Sequence, residues 1–399
     1  MKVKLTSLMW VMLVRRQNRR KRVKRSLIVV LFCVLSAILG FYIQRKINYV
    51  NEYVDVVYKT VNTEVVNKAS IVMVGDALMH LPVVNEYRTS NGYDFTGLFK
   101  YIKPIISEYD LAYYNQETIL GGTSLGLSGY PQFNSPQQVG DAFIDAGFNL
   151  VSLATNHSMD NYYKTGGKTI ANSVKYWKDH SDKILAAGSY TSQEERDEVI
   201  VKEINGIKYG FLSYTEQTNG ITVPSGKKYL VNVYSKDLVK KDVEAYKEKV
   251  DVIIVAMHWG SEYTTTPTTS EKEIAKYLSS LGVNLIIGCH PHVIQPMAYI
   301  DDTLVVYSLG NFVSNQEGND RVTGLMASAN IVKRVYHGKT TVKLEDATAE
   351  LIYTRKSEKH IIYPYSKLNT NIFASYKSYY NKYKNILTSY SDKIKVKEL

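Results

Sequence analysis

Cysteine is nearly absent: the 399 residues hold two, Cys33 and Cys289. Cys33 lies inside an uncharged apolar run and Cys289 sits among metal-ligand residue types, so the two cannot pair and disulfides do not hold the fold. A chain this long can bury a large core without cross-links. Negative charge is missing from residues 1–43, which carry ten Lys or Arg and no Asp or Glu. The net charge of +11 is therefore local, since taking those ten from 49 basic residues leaves 39 against 38 acidic ones. A near-neutral remainder excludes the phosphate-binding stripe that a nucleic acid partner needs. Gly338-Lys339-Thr340 has no glycine five positions earlier, so no phosphate-binding loop and no ATP-driven ligation site is present. Gly122-Thr123-Ser124-Leu125-Gly126 spells a nucleophile elbow, but it lies in a Gly/Ser-rich loop without the strand-to-helix turn that exposes a serine.

What the amino terminus does have is a cluster of positive charge, Arg15, Arg16, Arg19, Arg20, Lys21, Arg22, Lys24 and Arg25, followed by the uncharged run Ser26 to Ile43. Eighteen residues at about 1.5 Å each span roughly 27 Å, close to the hydrocarbon thickness, and the basic flank favours a cytoplasmic amino terminus. The expected order is a basic cytoplasmic tail (1–25), a transmembrane helix (26–43) in the cytoplasmic membrane, and a polar stalk (44–69) without glycine or proline. The rest of the chain then lies outside the cell. A cleaved signal peptide is the alternative, but the run is long for one and no Ala-x-Ala site follows it. A lipoprotein reading fails because Phe32 precedes Cys33 and apolar or small residues follow it.

From residue 70 to 353 short apolar runs alternate with helix-like segments, as a layered α/β domain requires. Strands are expected at Ile71–Val74, Leu111–Tyr114, Leu150–Ala154, Tyr209–Tyr214, Val252–Met257, Leu285–Ile287 and Leu304–Ser308. Ser135-Pro136 before Gln137–Ala146, and Ser270–Leu281 before Gly282, read as capped helices with glycine stops. The tail, 354–399, is rich in Tyr, Lys, Ser and Asn, and Ile372–Leu387 has the pattern of an amphipathic helix. It reads either as a peripheral helix on the domain or as a surface for an anionic envelope polymer.

Five of the apolar runs break off into metal-ligand types: Gly75-Asp76, Asn115-Gln116-Glu117, Asn156-His157, His258-Trp259-Gly260 and Gly288-Cys289-His290-Pro291-His292. Strand ends are where open α/β sheets gather ligand groups. A lone core histidine is usually structural, and a strand-end Asp is often a helix cap. Four histidines placed this way, two of them separated by one residue, point instead to metal. Asp76 is the natural first carboxylate, and Glu117 is suited to bridge two cations about 3.5–4 Å apart. Tyr162, Tyr163, Trp259, Glu262 and Tyr263 flank these positions, as cleft lining or as packing supports.

These blocks, with Asn115-Gln116-Glu117-Thr118, Asn156-His157-Ser158-Met159-Asp160, His258-Trp259-Gly260-Ser261-Glu262-Tyr263 and Tyr307-Ser308-Leu309-Gly310-Asn311-Phe312, resemble in order the CapA family of poly-γ-glutamate capsule biosynthesis over about residues 70–315. That family in turn resembles the calcineurin-like metallophosphoesterases. The resemblance implies an α/β fold, a metallophosphoesterase-like two-sheet sandwich flanked by helices, preceded by one transmembrane helix. It implies two divalent metal ions, one held by Asp76, Glu117 and His292 and the other by Glu117, Asn156, His258 and His290. Manganese, iron and zinc all suit these donors. His157 would be the proton donor to a leaving oxygen. The sequence departs from the phosphoesterase pattern twice: Leu78 stands where a histidine follows the first aspartate, with His80 two residues further on, and Glu117 replaces the Asp of a Gly-Asp pair. The implied role is a membrane-anchored component of capsule synthesis or export. Its partners would be a polyglutamate ligase, export membrane proteins and the anionic surface polymer; a surface phosphoesterase or related hydrolase is the alternative.

Overall fold

The computed structural model describes residues 2–399, and the side chains of 2–8 and 58–62 lie outside the described residues. Met1, Lys2 and Lys4 of the expected basic tail, and residues 58–62 of the expected stalk, fall there. The chain divides into two units, Met1–Val65 with Val335–Lys339, and Val66–Arg334 with Thr340–Leu399.

The first unit carries a helix of 61 residues, Lys2–Asn62. Its Met9–Val57 stretch is, among the described residues, the one helix long and apolar enough to cross a membrane. The expected apolar run, 26–43, lies inside it. The stalk is no separate segment up to residue 62: it continues the same helix, because no glycine or proline occurs there to end it.

In the second unit, a nine-stranded sheet has the order Ile361–Pro364, Lys339–Arg355, Thr323–Tyr336, Val65–Ala77, Leu111–Asn115, Leu150–Ser152, Leu185–Ala187, with Asn311–Val313 joined to Val65–Ala77 and Lys395–Val396 to Lys339–Arg355. A six-stranded sheet runs Met297–Ile300, Thr303–Val306, Leu285–Cys289, Val252–His258, Ile207–Thr215, Lys202–Ile204. The ligand-bearing strands pair in parallel in both sheets. All seven expected strands are present.

Alternation along each strand shows how the layers stack. Ile71, Met73, Leu111 and Tyr113 share one apolar cluster with Ile254, Ala256, Leu285 and Ile287 of the other sheet, which places that cluster between the sheets. Their neighbours Val72, Val74, Ala112 and Tyr114 join a second cluster with Phe143 and Trp177 of helices Gln138–Asp145 and Lys168–Asp179. Ile253, Val255 and Ile286 face helices Lys236–Lys247 and Thr269–Ser280. Strands covered on both faces read as continuous apolar runs, which is why they were legible. The architecture is α/β, a two-sheet sandwich flanked by helices.

Three expectations differ in detail. Ser135 does not cap its helix: Gln137 is the cap residue, and the Ser135 hydroxyl donates to Thr118 instead. The second helix starts earlier, where Thr268 and Glu271 form a reciprocal capping box, while Ser270 donates to Glu216. No boundary falls at residue 353, because strand Lys339–Arg355 runs through it and Ile361–Pro364 and Lys395–Val396 extend the same sheet. The tail helix is Tyr376–Thr388, and it buries Tyr380, Tyr383 and Leu387 against the central cluster.

Candidate metal centre

Strand ends from both sheets deliver the donors. Gly75 must be glycine, since a Cβ there would lie 1.7 Å from the Gly310 carbonyl oxygen. That close approach lets the Asp76 N–H donate to the same carbonyl at 3.0 Å and fixes the carboxylate at the strand terminus. The Asn115 amide donates to Asp76 Oδ1 at 2.7 Å, and the His290 N–H to Oδ2 at 3.2 Å. Gly288 has the matching role in the other sheet, where a Cβ would meet the Tyr307 carbonyl oxygen at 1.9 Å. Beyond it the backbone is strained: His290 and His292 take φ of 98° and 57°. Such conformations cost of order 1–3 kcal/mol each and persist where the surroundings over-determine them.

Glu117 is 1% exposed and neither of its carboxylate oxygens has a hydrogen-bond partner. His292 Nε2 stands 3.6 Å and His258 Nε2 3.9 Å from its Oε1. Burial drives its pKa well above the ordinary carboxylate range; the Asp76 and Glu262 charges push the same way and His292 opposes them. A buried carboxylate without partners is disfavoured by several kcal/mol in effective terms. A divalent cation removes that penalty.

Lone pairs converge beside it. His258 Nε2 lies 2.9 Å from Asn156 Oδ1 and 3.2 Å from His290 Nδ1. Burial, reinforced by the neighbouring imidazoles, holds His258 well below its usual value and His290 at about 4, so both are neutral donors at physiological pH. For His292, burial is outweighed by the Glu117 and Asp76 charges, which lift it to about 9. Its Nδ1 is 2.9 Å from Asn311 Oδ1 and 3.2 Å from Asp76 Oδ2.

The structure thus brings Asp76, Glu117 and His292 together, and Glu117, His258 and His290 together, with ligand atoms within 4.8 Å in each group; Asn156 joins the second through His258. Buried acceptors of this kind fit divalent cations. His157 lies apart from both groups. Its Nδ1 is 2.7 Å from Asp160 Oδ2, its ring packs edge-on against Phe133, and it lines a cavity of about 340 Å³ with Asn156, Asn219, Glu262 and Tyr130. Asp160 also accepts the Phe133 N–H, and burial raises its carboxyl despite the His157 contact.

Several supporting residues were not read from sequence. Asn115 touches both Asp76 and His258 Nδ1, and Asn311 orients His292. Holding the outer nitrogen of a ligand imidazole aims the inner one. Asp160, three residues after His157, had a spacing signal; Asn219, on a loop, had none. Among the flanking residues, Glu262 and Tyr263 stand at the site, with Tyr263 6.0 Å from the His292 ring, whereas Trp259 is a core residue bonded to the Tyr307 carbonyl. The Tyr163 hydroxyl donates to Thr222, and Tyr162 packs in a satellite cluster.

Residues 70–316 match the family described as Bacterial capsule synthesis protein PGA_cap. The chain is 31% identical over 179 residues to the PGA biosynthesis protein CapA of Bacillus subtilis (strain 168), covering 43% of this chain and 44% of that protein. It is 26% identical over 264 residues to the Capsule biosynthesis protein CapA of Bacillus anthracis, covering 62% and 60%. The match therefore spans less than two thirds of either relative's length. Among solved structures, the calcineurin-like phosphoesterase YfkN from Bacillus subtilis is similar at a TM-score of 0.44 and 14% identity, over 80% of this chain and 99% of that one. A 5′-nucleotidase from Staphylococcus aureus is similar at 0.42 and 15%, over 78% and 58%. The architecture stands on the strand order above, not on these two likenesses.

Proposed function

The chain belongs to the family of the bacterial capsule synthesis protein PGA_cap, and from that premise we propose that it is a membrane-anchored, metal-bearing component of capsule polymer synthesis or export. The polymer is poly-γ-glutamate in this reading, and the working partners are a separate polyglutamate ligase and export proteins in the same membrane. The helix Lys2–Asn62 anchors the chain with its amino terminus in the cytoplasm and the sheet domain outside. Two divalent cations occupy the centre, one on Asp76, Glu117 and His292, the other on Glu117, Asn156, His258 and His290.

The observation that carries the metal assignment is Glu117, a buried carboxylate with no hydrogen-bond partner beside inward-facing imidazoles. Bound cations there would supply Lewis-acid polarisation of an acyl or phosphoryl oxygen. The chain's own residues do the rest. Asn115 and Asn311 hold the donors in place, and Asp160 fixes His157 so that its outer nitrogen can deliver a proton to a leaving group in the cavity. That His157–Asp160 pair favours a second reading, a metal-dependent hydrolase acting on envelope material.

Elemental mass spectrometry on the detergent-solubilised full chain tests the centre. About two divalent cations per chain are expected, lost in a His258→Ala, His290→Ala double variant. No metal in either protein would sink the reading.

A further inference from the structure

Three groups of donors meet at this centre, and the third has no role in the assignment above. Glu262, His290 and His292 also offer ligand atoms within 4.8 Å of one another. This group takes one imidazole from each of the two cation sites. Its carboxylate is exposed and lines the cavity that holds His157, whereas Glu117 reaches the centre from the buried side. Beside Asp76 the position that would carry a further histidine is Leu78, buried and apolar, and His80 Nδ1 lies 3.1 Å from the Leu78 carbonyl and 3.3 Å from the Asn315 nitrogen. Asp76, Glu117 and His292 alone leave a cation one ligand short of a tetrahedral set.

The loop is built to hold Glu262 in that place. Gly260 takes φ of 84° and its N–H donates to Glu216 at 2.7 Å. Tyr263 takes φ of 64°, and its N–H donates to the Pro291 carbonyl at 2.8 Å, lacing this loop to the residue between the two histidines. The Tyr263 hydroxyl accepts from Gln316 at 3.3 Å, and burial, helped by the neighbouring Glu262 charge, raises the phenol. The Tyr263 backbone bond to Pro291 thus sets the adjoining Glu262 carboxylate beside His290 and His292.

We propose that Glu262 is a further metal ligand, closing the centre from the cavity side and completing the cation site of Asp76, Glu117 and His292. The inference rests on the metal assignment above. Anions entering the cavity must then displace Glu262 before they reach a cation.

Isothermal titration of the metal-stripped full chain with Mn²⁺ tests it, using Glu262→Gln, Glu262→Asp and, as a control, Glu317→Gln, an exposed carboxylate paired with Lys356. Glu262→Gln should weaken one Mn²⁺ step by tenfold or more, given that loss of even outer partners costs metal sites 10–100-fold. Glu262→Asp should recover part of the affinity, and Glu317→Gln should match wild type. Superimposable titrations of wild type and Glu262→Gln, or an equal loss in Glu317→Gln, would overturn the proposal while leaving the centre intact. A wild type that binds no Mn²⁺ would remove the metal assignment itself. Should Glu262→Gln melt below wild type when metal-free, the Glu262→Asp titration decides: full wild-type affinity with a shorter side chain rejects ligation.

Discussion

Asp160 shows how a single side chain sets stability against function. Its Oδ2 binds His157 Nδ1 at 2.7 Å and the Phe133 N–H at 2.6 Å, in a site that is fully buried. Burial raises its carboxyl above the ordinary aspartate value of 3.8, with the His157 bond opposing. The folded state therefore holds a proton that the unfolded state has released, so this group's contribution to stability falls as pH rises from 3.8 through the raised value. Ionising Asp160 in the folded state costs stability, a cost that the bonds to His157 and Phe133 partly offset. Asp160→Asn is expected to leave the melting temperature unchanged or higher, and metal content intact. Hydrolysis of a phosphodiester with a basic alkyl leaving group by the Mn²⁺-loaded protein should fall by about 10²–10⁴-fold, the worth of a positioned acid. Loss of metal, or a melting temperature several degrees lower, would contradict this role. The candidate ligands were legible because each lies at, or within four residues of, the end of an apolar strand. Their holders were not: Asn311 reaches His292 across 19 positions and Asn115 reaches His258 across 143, which only the fold reveals.

Among the elements, the amino-terminal helix departs furthest from its expected bounds. The apolar run alone defines 18 residues, yet with no Gly or Pro between residues 41 and 62 nothing stops the helix until Asn62. The tail was hard to read for the opposite reason. Its Tyr and Lys pattern is compatible with a solvated end, and only packing shows Tyr383 and Leu387 fully buried and the Tyr383 hydroxyl bonded to Asp320. Both caps shifted by two residues because Ser135 and Ser270 found tertiary partners, Thr118 and Glu216, that compete with capping. The helix makes a direct prediction through its charge. Ten basic residues precede Ser26 and no acidic one does, so the sheet domain is expected on the outer face. With an epitope at the carboxyl terminus of the full chain, protease added to cells stripped of wall should digest the tag while a cytoplasmic marker survives. A protected tag would reverse the orientation.

Over the whole molecule, the centre couples metal, proton and fold. Without metal, His292 sits at about 9 and Glu117 well above the ordinary carboxylate range, each held there by its neighbours against or through burial. For His292 the contribution to stability is full below 6.5 and is lost as pH rises through about 9. Glu117 and His292 titrate as one coupled pair whose burial favours keeping a proton, so Glu117 shares in this same loss as pH rises rather than adding a separate one. The metal-free protein should therefore melt at progressively lower temperature between about pH 6.5 and 9. Cations compete with those same protons, so affinity should grow by about tenfold per pH unit for each proton released. At a free metal concentration 100 times the Kd, the loaded fold gains about 2.7 kcal/mol. The two trends pull in opposite directions, and the gap in melting temperature between Mn²⁺-loaded and EDTA-stripped protein should widen from pH 6.5 to 8.5. Calorimetry in matched buffers measures it. Parallel curves across that range would show that His292 and Glu117 do not exchange protons for metal.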